Sequence, residues 1–359
     1  MKIFTVGPVA MYSQTFEITG RQTPYFRTKD FSKIMLETEE YIYKLLNAPK
    51  GSKTVFLTTS GTGAMEASLI NLAKPEDKFL VINGGVFGYR FSELCDIHHI
   101  KHERLDLAFG ETLTASHLEA YKNKGITGIL VNIHETSTGQ LYDIKMLSEF
   151  CKQENLLFII DAISSFLADP LDMSKIDADA IIFSSHKAMA LNPGISCVVI
   201  SPKAYEERVK GNKIKVLYLD FNNHIDGQVR GQTPFTPAVN VALTMNDMLG
   251  SICKLGVETK INQTRELALD FRNKAKAIKN IEIPTFPLSN ALTTLVFSDE
   301  KAQKIHEILC NEYSLMLTPN GGELADRVLR VGHIGNHTIV ENDEIISAIK
   351  EIYEKELLT

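Results

Sequence analysis

The sequence predicts an α/β protein: a layered domain on a largely parallel sheet, followed by a smaller α+β unit. Three observations lead there. At 359 residues the chain is long enough for about two domains of ~150 residues, each with its own apolar core. Its 44% hydrophobic and 23% charged residues, with 22 Gly and 12 Pro, match an ordinary globular protein and exclude disordered and collagen-like chains. Between residues 54 and 200, short apolar runs alternate with amphipathic segments, the pattern of repeated βα units.

The runs lie at 54–57, 78–82, 128–131, 156–160, 180–183 and 196–200. They are almost unbroken in β-branched and aromatic residues, as strands covered on both faces are, and do not alternate polar with apolar. Helices are expected between them at 63–72 and 143–154; in the second, Ile144, Leu147, Phe150 and Cys151 share one face. The pattern changes around 234–237, where a second unit begins. An apolar helix at 239–255 and a long charged one at 258–279 lead into strand 293–297, helix 302–311, strand 328–331 and helix 339–353.

Charge and cysteine usage narrow the function. Lys plus Arg total 38 against 44 Asp plus Glu, a net charge of −6, so no positive excess exists to hold a nucleic acid or an anionic membrane. The five cysteines (Cys95, Cys151, Cys197, Cys253, Cys310) are scattered without a CxxC spacing, which argues against a disulfide framework and a zinc site and for a reducing, cytoplasmic setting. No run of 18 apolar residues and no signal-peptide pattern is visible, so neither a membrane span nor secretion is expected. Trp is absent.

Three stretches could carry chemistry. Thr59-Ser60-Gly61-Thr62-Gly63-Ala64 joins a predicted strand to a predicted helix; small residues, hydroxyls and a helix N-terminus suit a phosphate group, and equally an ordinary capped turn. It is neither a Walker A loop nor GxGxxG. Asp161 ends the most apolar strand, where ligands of open α/β sheets gather; it could equally cap the next helix. Lys187 follows Ile182-Phe183-Ser184-Ser185-His186. Beside a buried run its ammonium would be destabilised toward a nucleophilic amine, whereas a lysine after a strand is otherwise a surface charge.

Together these stretches resemble the fold-type-I pyridoxal-phosphate enzymes, specifically the class V aminotransferases. Ser60-Gly61-Thr62, Asp161 and Ser184-Ser185-His186-Lys187 follow the family order, and 26 residues separate Asp161 from Lys187. Gly85-Val86-Phe87-Gly88-Tyr89-Arg90 is similar to the family's Gly-x-aromatic-Gly-x-Arg loop. His134-Glu135-Thr136-Ser137-Thr138-Gly139 resembles its His-x-Glu segment, one residue tighter between His and Glu. Val6-Gly7-Pro8-Val9, Thr236-Pro237 and Leu329-Arg330-Val331-Gly332 match the N-terminal Gly-Pro, the inter-subunit phosphate loop and the carboxylate site.

The resemblance implies a large domain with a mostly parallel seven-stranded sheet at 20–240 and a small α+β domain made of 1–19 and 241–359. It implies pyridoxal 5′-phosphate as cofactor, with Lys187 holding it as an internal aldimine and then moving the proton as base and acid, and Asp161 on the pyridine nitrogen. Ser60, Gly61, Thr62, Ser184 and His186 are expected at the phosphate, with Thr236 from a second subunit of an obligate homodimer. Thr136 is expected at the ring oxygen, Ile163 beneath the ring and Phe87 stacked on its outer face, which no Trp can fill here. Arg330, with Gly7 beside it, is expected to grip the substrate carboxylate through a bidentate fork. Tyr25, Arg27, His333 and Asn336 are expected near the substrate entrance.

The implied reaction passes an amino group from a small donor such as alanine or serine to a 2-oxo acid such as pyruvate or glyoxylate. A 2-aminoethylphosphonate–pyruvate aminotransferase is the alternative, since Gly61 to Ala67 and the region around Phe87 resemble it. Against it, Ala10-Met11-Tyr12 replace the small hydroxyl residues that usually follow its Gly-Pro. A cysteine desulfurase shares the Ser-x-His-Lys pattern but needs a mobile, exposed cysteine and a stacked His; here the stacking position is Phe87 and Cys310 lies in a helix-like segment. Other lyases of this fold remain open. A non-enzymatic relative is disfavoured by the presence of Lys187.

Overall fold

A computed structural model of the chain describes residues 1–355. Seven strands form the main sheet: β1 (Lys53–Leu57), β2 (Lys78–Asn83), β3 (Lys101–Asp106), β4 (Gly128–Asn132), β5 (Leu157–Asp161), β6 (Ala180–Ser184) and β7 (Ser196–Ile200). Their order across the sheet is β1-β7-β6-β5-β4-β2-β3. Only β7 runs antiparallel to its neighbours. Six strands coincide with the apolar runs to within a residue or so. The seventh, β3, is Lys-His-Glu-Arg-Leu-Asp, with Leu105 its one buried residue. It lies at the sheet edge, where polar side chains are tolerated and guard against further pairing, and so it carries no apolar run to be read.

Both faces of the sheet are covered, and the two-residue period of the strands sorts side chains between them. On β5, Phe158 and Ile160 enter one apolar cluster while Leu157 and Ile159 enter the other; Ile181 and Phe183 against Ala180 and Ile182 do the same on β6. Helices α1 (Lys29–Leu46), α2 (Gly61–Leu72), α3 (Val86–Ile97) and α4 (Ile144–Glu154) surround the sheet. Residues 86–90, expected as a loop, are the first turns of α3. Gly88 permits this, because a Cβ there would lie 2.7 Å from the Ile82 carbonyl oxygen.

Helix α5 (Val239–Leu255) spans the expected range, but its packing differs from the expected grouping. Val239, Val241, Ala242, Met245, Met248 and Leu249 join the large core, and α5 lies along α1. The apolar contacts therefore carry the large unit to Gly256, whose φ of +94° turns the chain into α6 (Val257–Ala275) as few residues but glycine can.

From there a separate core forms around Phe271, Leu295, Phe297, Ile305, Leu309, Leu329, Val331, Ile345 and Ile349. It lies on an antiparallel sheet of β8 (Ile281–Glu282), β9 (Leu292–Phe297), β10 (Thr318–Pro319) and β11 (Val328–Gly332), in the order β8-β9-β11-β10. Helices α7 (Ala302–Tyr313) and α8 (Ile339–Glu354) complete this unit. The N-terminus belongs to it as well: Lys2 and Ile3 pair in parallel with Leu315 and Met316, Phe4 enters its core, and Val6 N–H donates to Thr318 Oγ1 at 3.1 Å.

Candidate active site

Parallel strands that end at one edge of a sheet bring together side chains far apart in sequence. The turn after β1 ends at Ser60, with Gly61 and Thr62 opening α2; the turn after β2 leads into Phe87, and His134 to Thr136 follow β4. Asp161 ends β5, and Ser184 ends β6 with Lys187 just beyond it. Register fixes their neighbourhood: Asp161 lies beside Asn132 on one side and Ile182 on the other.

Lys187 is buried, 8% exposed, and its Nζ donates to the Val6 carbonyl at 2.7 Å. Burial pushes its pKa down to about 8, against the pull of the Asp161 carboxylate; Arg330 adds to the depression. Gly7, at φ +140°, passes over it so closely that a Cβ would stand 2.5 Å from Nζ. Asp161 is buried too, and its carboxylate accepts one hydrogen bond, from Ile163 N–H at 2.7 Å. Burial raises its pKa to about 7, although that bond and the charge of Lys187 oppose the rise.

At the other end of the cluster, α2 begins with nothing to satisfy it. Ser60 is the N-cap, yet its side chain makes no capping bond, and the first turn contains no acidic residue. Ser60 and Thr62 are exposed. Ile163 covers Gly61 so closely that a Cβ would lie 2.4 Å from Ile163 Cδ1. Behind the turn, Ser184 and Ser196 hydroxyls lie 2.7 Å apart and Ser196 donates to the Thr59 carbonyl at 3.1 Å, so Ser184 braces the turn from inside. His186 is half-buried, and burial with the Lys187 charge pushes it down to about 4. Thr236 is exposed at the end of a loop braced by Arg27, which donates to the carbonyls of Thr233 (2.6 Å) and Pro234 (3.2 Å).

Arg330 projects from β11, 8% exposed. It donates to the carbonyls of Thr136 at 3.0 Å and Pro319 at 2.7 Å, its Nε has no partner, and burial lowers its pKa to about 10. The direct partners of this buried guanidinium are both neutral carbonyls, and the Glu135 carboxylate acts on it only from beyond ion-pair distance, so it keeps the capacity to bind an anion. Phe87 is half-buried and belongs to none of the apolar clusters. His333 is not at an entrance. It is 2% exposed, bonded to Thr293 Oγ1 at 2.7 Å and packed on Phe271, because its place after β11 turns it into the small-domain interior. Tyr25 is 68% exposed, and Asn336 is exposed with its N–H on the Ala10 carbonyl.

The model of the family "Aminotransferase class-V" matches residues 9–332. The chain belongs to this family. A 42 kDa subunit of the soluble hydrogenase of Anabaena cylindrica is 30% identical over 335 residues, covering 91% of this chain and 85% of that one. The L-aspartate–glyoxylate aminotransferase of Paracoccus denitrificans is 26% identical over 346 residues, with 94% and 87% covered. Among solved structures, the subgroup IV aspartate aminotransferase of Thermus thermophilus superposes with a TM-score of 0.89 at 24% identity over 99% of both chains.

The protein is thus a transaminase dependent on pyridoxal phosphate, and the site's chemistry fits that cofactor. An uncapped helix N-terminus suits a phosphate, a buried carboxylate with a single donor suits a protonated ring nitrogen, and a buried amine suits Schiff-base formation. The same geometry bears on cysteine chemistry. Cys95, Cys151 and Cys197 are buried, while Cys253 and Cys310 sit on α5 and α7 with thiol pKa values raised by burial, the opposite of an activated thiolate.

In the sequence Glu135 stands out only as part of the motif from His134 to Gly139. In the aminotransferase it is fully buried and accepts from Gly88 N–H (2.9 Å), Phe87 N–H (3.4 Å), Asn132 Nδ2 (2.8 Å) and Ser137. A carboxylate thus caps α3 from a distant loop and sets the turn that carries Phe87. The signal available was the helix start hidden in residues 85–90, which leaves amides in need of an acceptor.

Proposed function

We propose that this aminotransferase transfers the amino group of a small donor such as alanine or serine to a 2-oxo acid such as pyruvate or glyoxylate, with Lys187 and Asp161 as its catalytic residues. The observation that carries the reading is the buried Lys187 amine, roofed by Gly7 and close enough to feel the charge of the buried Arg330, whose Nε has no partner. A main-chain roof at this distance leaves room for compact substrates, and a lone guanidinium suits one carboxylate. Glyoxylate as acceptor in the Paracoccus relative supports the choice of 2-oxo acid.

Ser60, Gly61, Thr62, Ser184 and His186 would hold the cofactor phosphate, with Thr236 from a second copy in a homodimer. Phe87 and Ile163 would enclose the ring, and Thr136 would meet its ring oxygen. When bound, pyridoxal phosphate supplies an electrophilic carbon and a ring that stores the electron pair left when the donor loses its Cα proton. Lys187 takes that proton on Nζ and returns it one position along, a task suited to an amine whose pKa lies near neutrality. Asp161 stays charged against the ring's N–H and so keeps the ring electron-poor. Arg330 orients the donor by its carboxylate, and Val6, Gly7 and Ile163 exclude water. Five free thiols support a reducing compartment, the cytoplasm.

A donor panel tests this reading. Purified protein is expected to be yellow, and alanine or serine to bleach it while pyruvate or glyoxylate restores the colour. Lys187→Ala should lose at least about 10³-fold in turnover. Bleaching by 2-aminoethylphosphonate alone, or sulfide release from cysteine with no bleaching by any donor, would replace it with another reaction of the same fold.

A further inference from the structure

His134 is a buried group that the reaction described above does not use. It is 2% exposed. Its Nδ1 lies 2.9 Å from Ser164 Oγ, and Ser164 Oγ lies 3.1 Å from Thr136 Oγ1. The other nitrogen, Nε2, is sealed from solvent without a hydrogen-bond partner. Burial first, then the charges of Lys187, Arg272 and Arg330, push the ring's pKa down to about 3, with the Ser164 main chain opposing them. The imidazole is therefore neutral and carries one proton.

That proton has two possible seats. On Nε2 it would be a buried donor with no acceptor, set in the field of three cations. Ser164 would then donate to Nδ1, and the Thr136 hydroxyl proton would be drawn inward to Ser164. On Nδ1 the proton is bonded to Ser164, and only a lone pair is left unpaired. An unpaired buried acceptor is tolerated better than an unpaired buried N–H, and a lone pair in a positive field is favourable where a proton is not. The second seat is the lower in energy. Ser164 then donates to Thr136, whose own proton is left for an oxygen outside the chain of three.

We infer that His134, Ser164 and Thr136 form a one-way hydrogen-bond relay, in which His134 is a positioning residue that keeps the Thr136 hydroxyl a donor toward the cofactor's ring oxygen. The inference rests on the role of Thr136 proposed above. Its consequence is a ring oxygen held in its ionised form by a donor that is itself polarised from behind.

Two measurements test it. In the cofactor-free protein, 15N NMR of the histidine ring should find the proton of His134 on Nδ1, and Ser164→Ala should shift that signal. In the loaded protein, a donor to the ring oxygen competes with the proton held where the cofactor joins Lys187, so removing the donor raises the pH at which the colour changes. Thr136→Val should raise that midpoint by about 1 unit, the size of one hydrogen bond to a charged group. His134→Leu and Ser164→Ala should raise it by a smaller amount and add nothing in the Thr136→Val background, while His134→Asn, which keeps a donor near the Nδ1 position, should restore it. A midpoint moved by Thr136→Val and untouched by both other variants overturns the relay, and a proton found on Nε2 overturns its direction. Should His134→Leu fail to fold, Ser164→Ala alone decides. Failure of the wild type to take up cofactor would instead overturn the proposed function, with the NMR result still standing for or against the relay.

Discussion

Lys187 and Asp161 act on one another's charge without a direct hydrogen bond, each tied to the main chain instead. Burial dominates both shifts and acts in opposite senses, down to about 8 for the amine and up to about 7 for the acid. Both therefore oppose folding of the cofactor-free chain at neutral pH. For Asp161 the sign is definite: a folded pKa above the usual 3.8 means that the folded state binds the proton more tightly, so stability is lost as pH rises from about 4 to 7. Asp161→Asn should remove this loss. Thermal melts of the cofactor-free variant are expected above wild type at pH 8 and level with it near pH 4, while transamination falls sharply; a variant less stable at pH 8 would contradict the burial argument. The carbonyl of an asparagine could still accept from Ile163 N–H, which keeps the comparison clean.

At the scale of elements, the site depends on how helices begin. Helix α2 leaves its first amides open, with no side-chain cap and no acidic residue, whereas α3 has its own met by Glu135 and Ser137. The contrast explains why one end can hold an anion and the other holds an aromatic ring in place. Glu135→Ala would leave Gly88 N–H and Asn132 Nδ2 buried and unpaired. A loss of about 3 kcal/mol is expected in denaturant unfolding, together with weaker cofactor retention as the Phe87 turn loosens. Such capping is hard to read from sequence, because donor and acceptor lie 47 residues apart and no local pattern joins them. Strand β3 is illegible in the sequence for a related reason. An edge strand needs pairing but no apolar face, so Lys101 to Asp106 carry no signal of burial.

On the scale of the whole molecule, the small unit supplies part of the large unit's site. Residues 2–6 are stapled to the small sheet and deliver Val6 and Gly7 over Lys187, while β11 delivers Arg330. A loop from the large unit returns the contact: Asp169 accepts from Asn290 N–H at 2.9 Å and from Ser289. In the homodimer proposed above, exposed Thr236 would extend the same logic to a second copy. Chains carrying Lys187→Ala and Thr236→Asp, each inactive alone, should regain activity when unfolded and refolded together, because one site of each mixed dimer then has both residues intact. No recovery, with dimers present by light scattering, would mean that Thr236 serves its own chain's site or none.

The sequence by itself determined the family, the cofactor chemistry and the buried strands, because continuous apolar runs and the order of Ser60-Gly61-Thr62, Asp161 and Lys187 are local, linear patterns. The absent Trp likewise pointed to Phe87. Only the tertiary structure decided that Glu135 caps α3, that α5 packs with the large core, that His333 faces an interior, and that His134, Ser164 and Thr136 stand within hydrogen-bond reach of one another. Each of these depends on which groups meet across the fold and on what burial does to their charge, and neither distance nor dielectric is written in the order of residues.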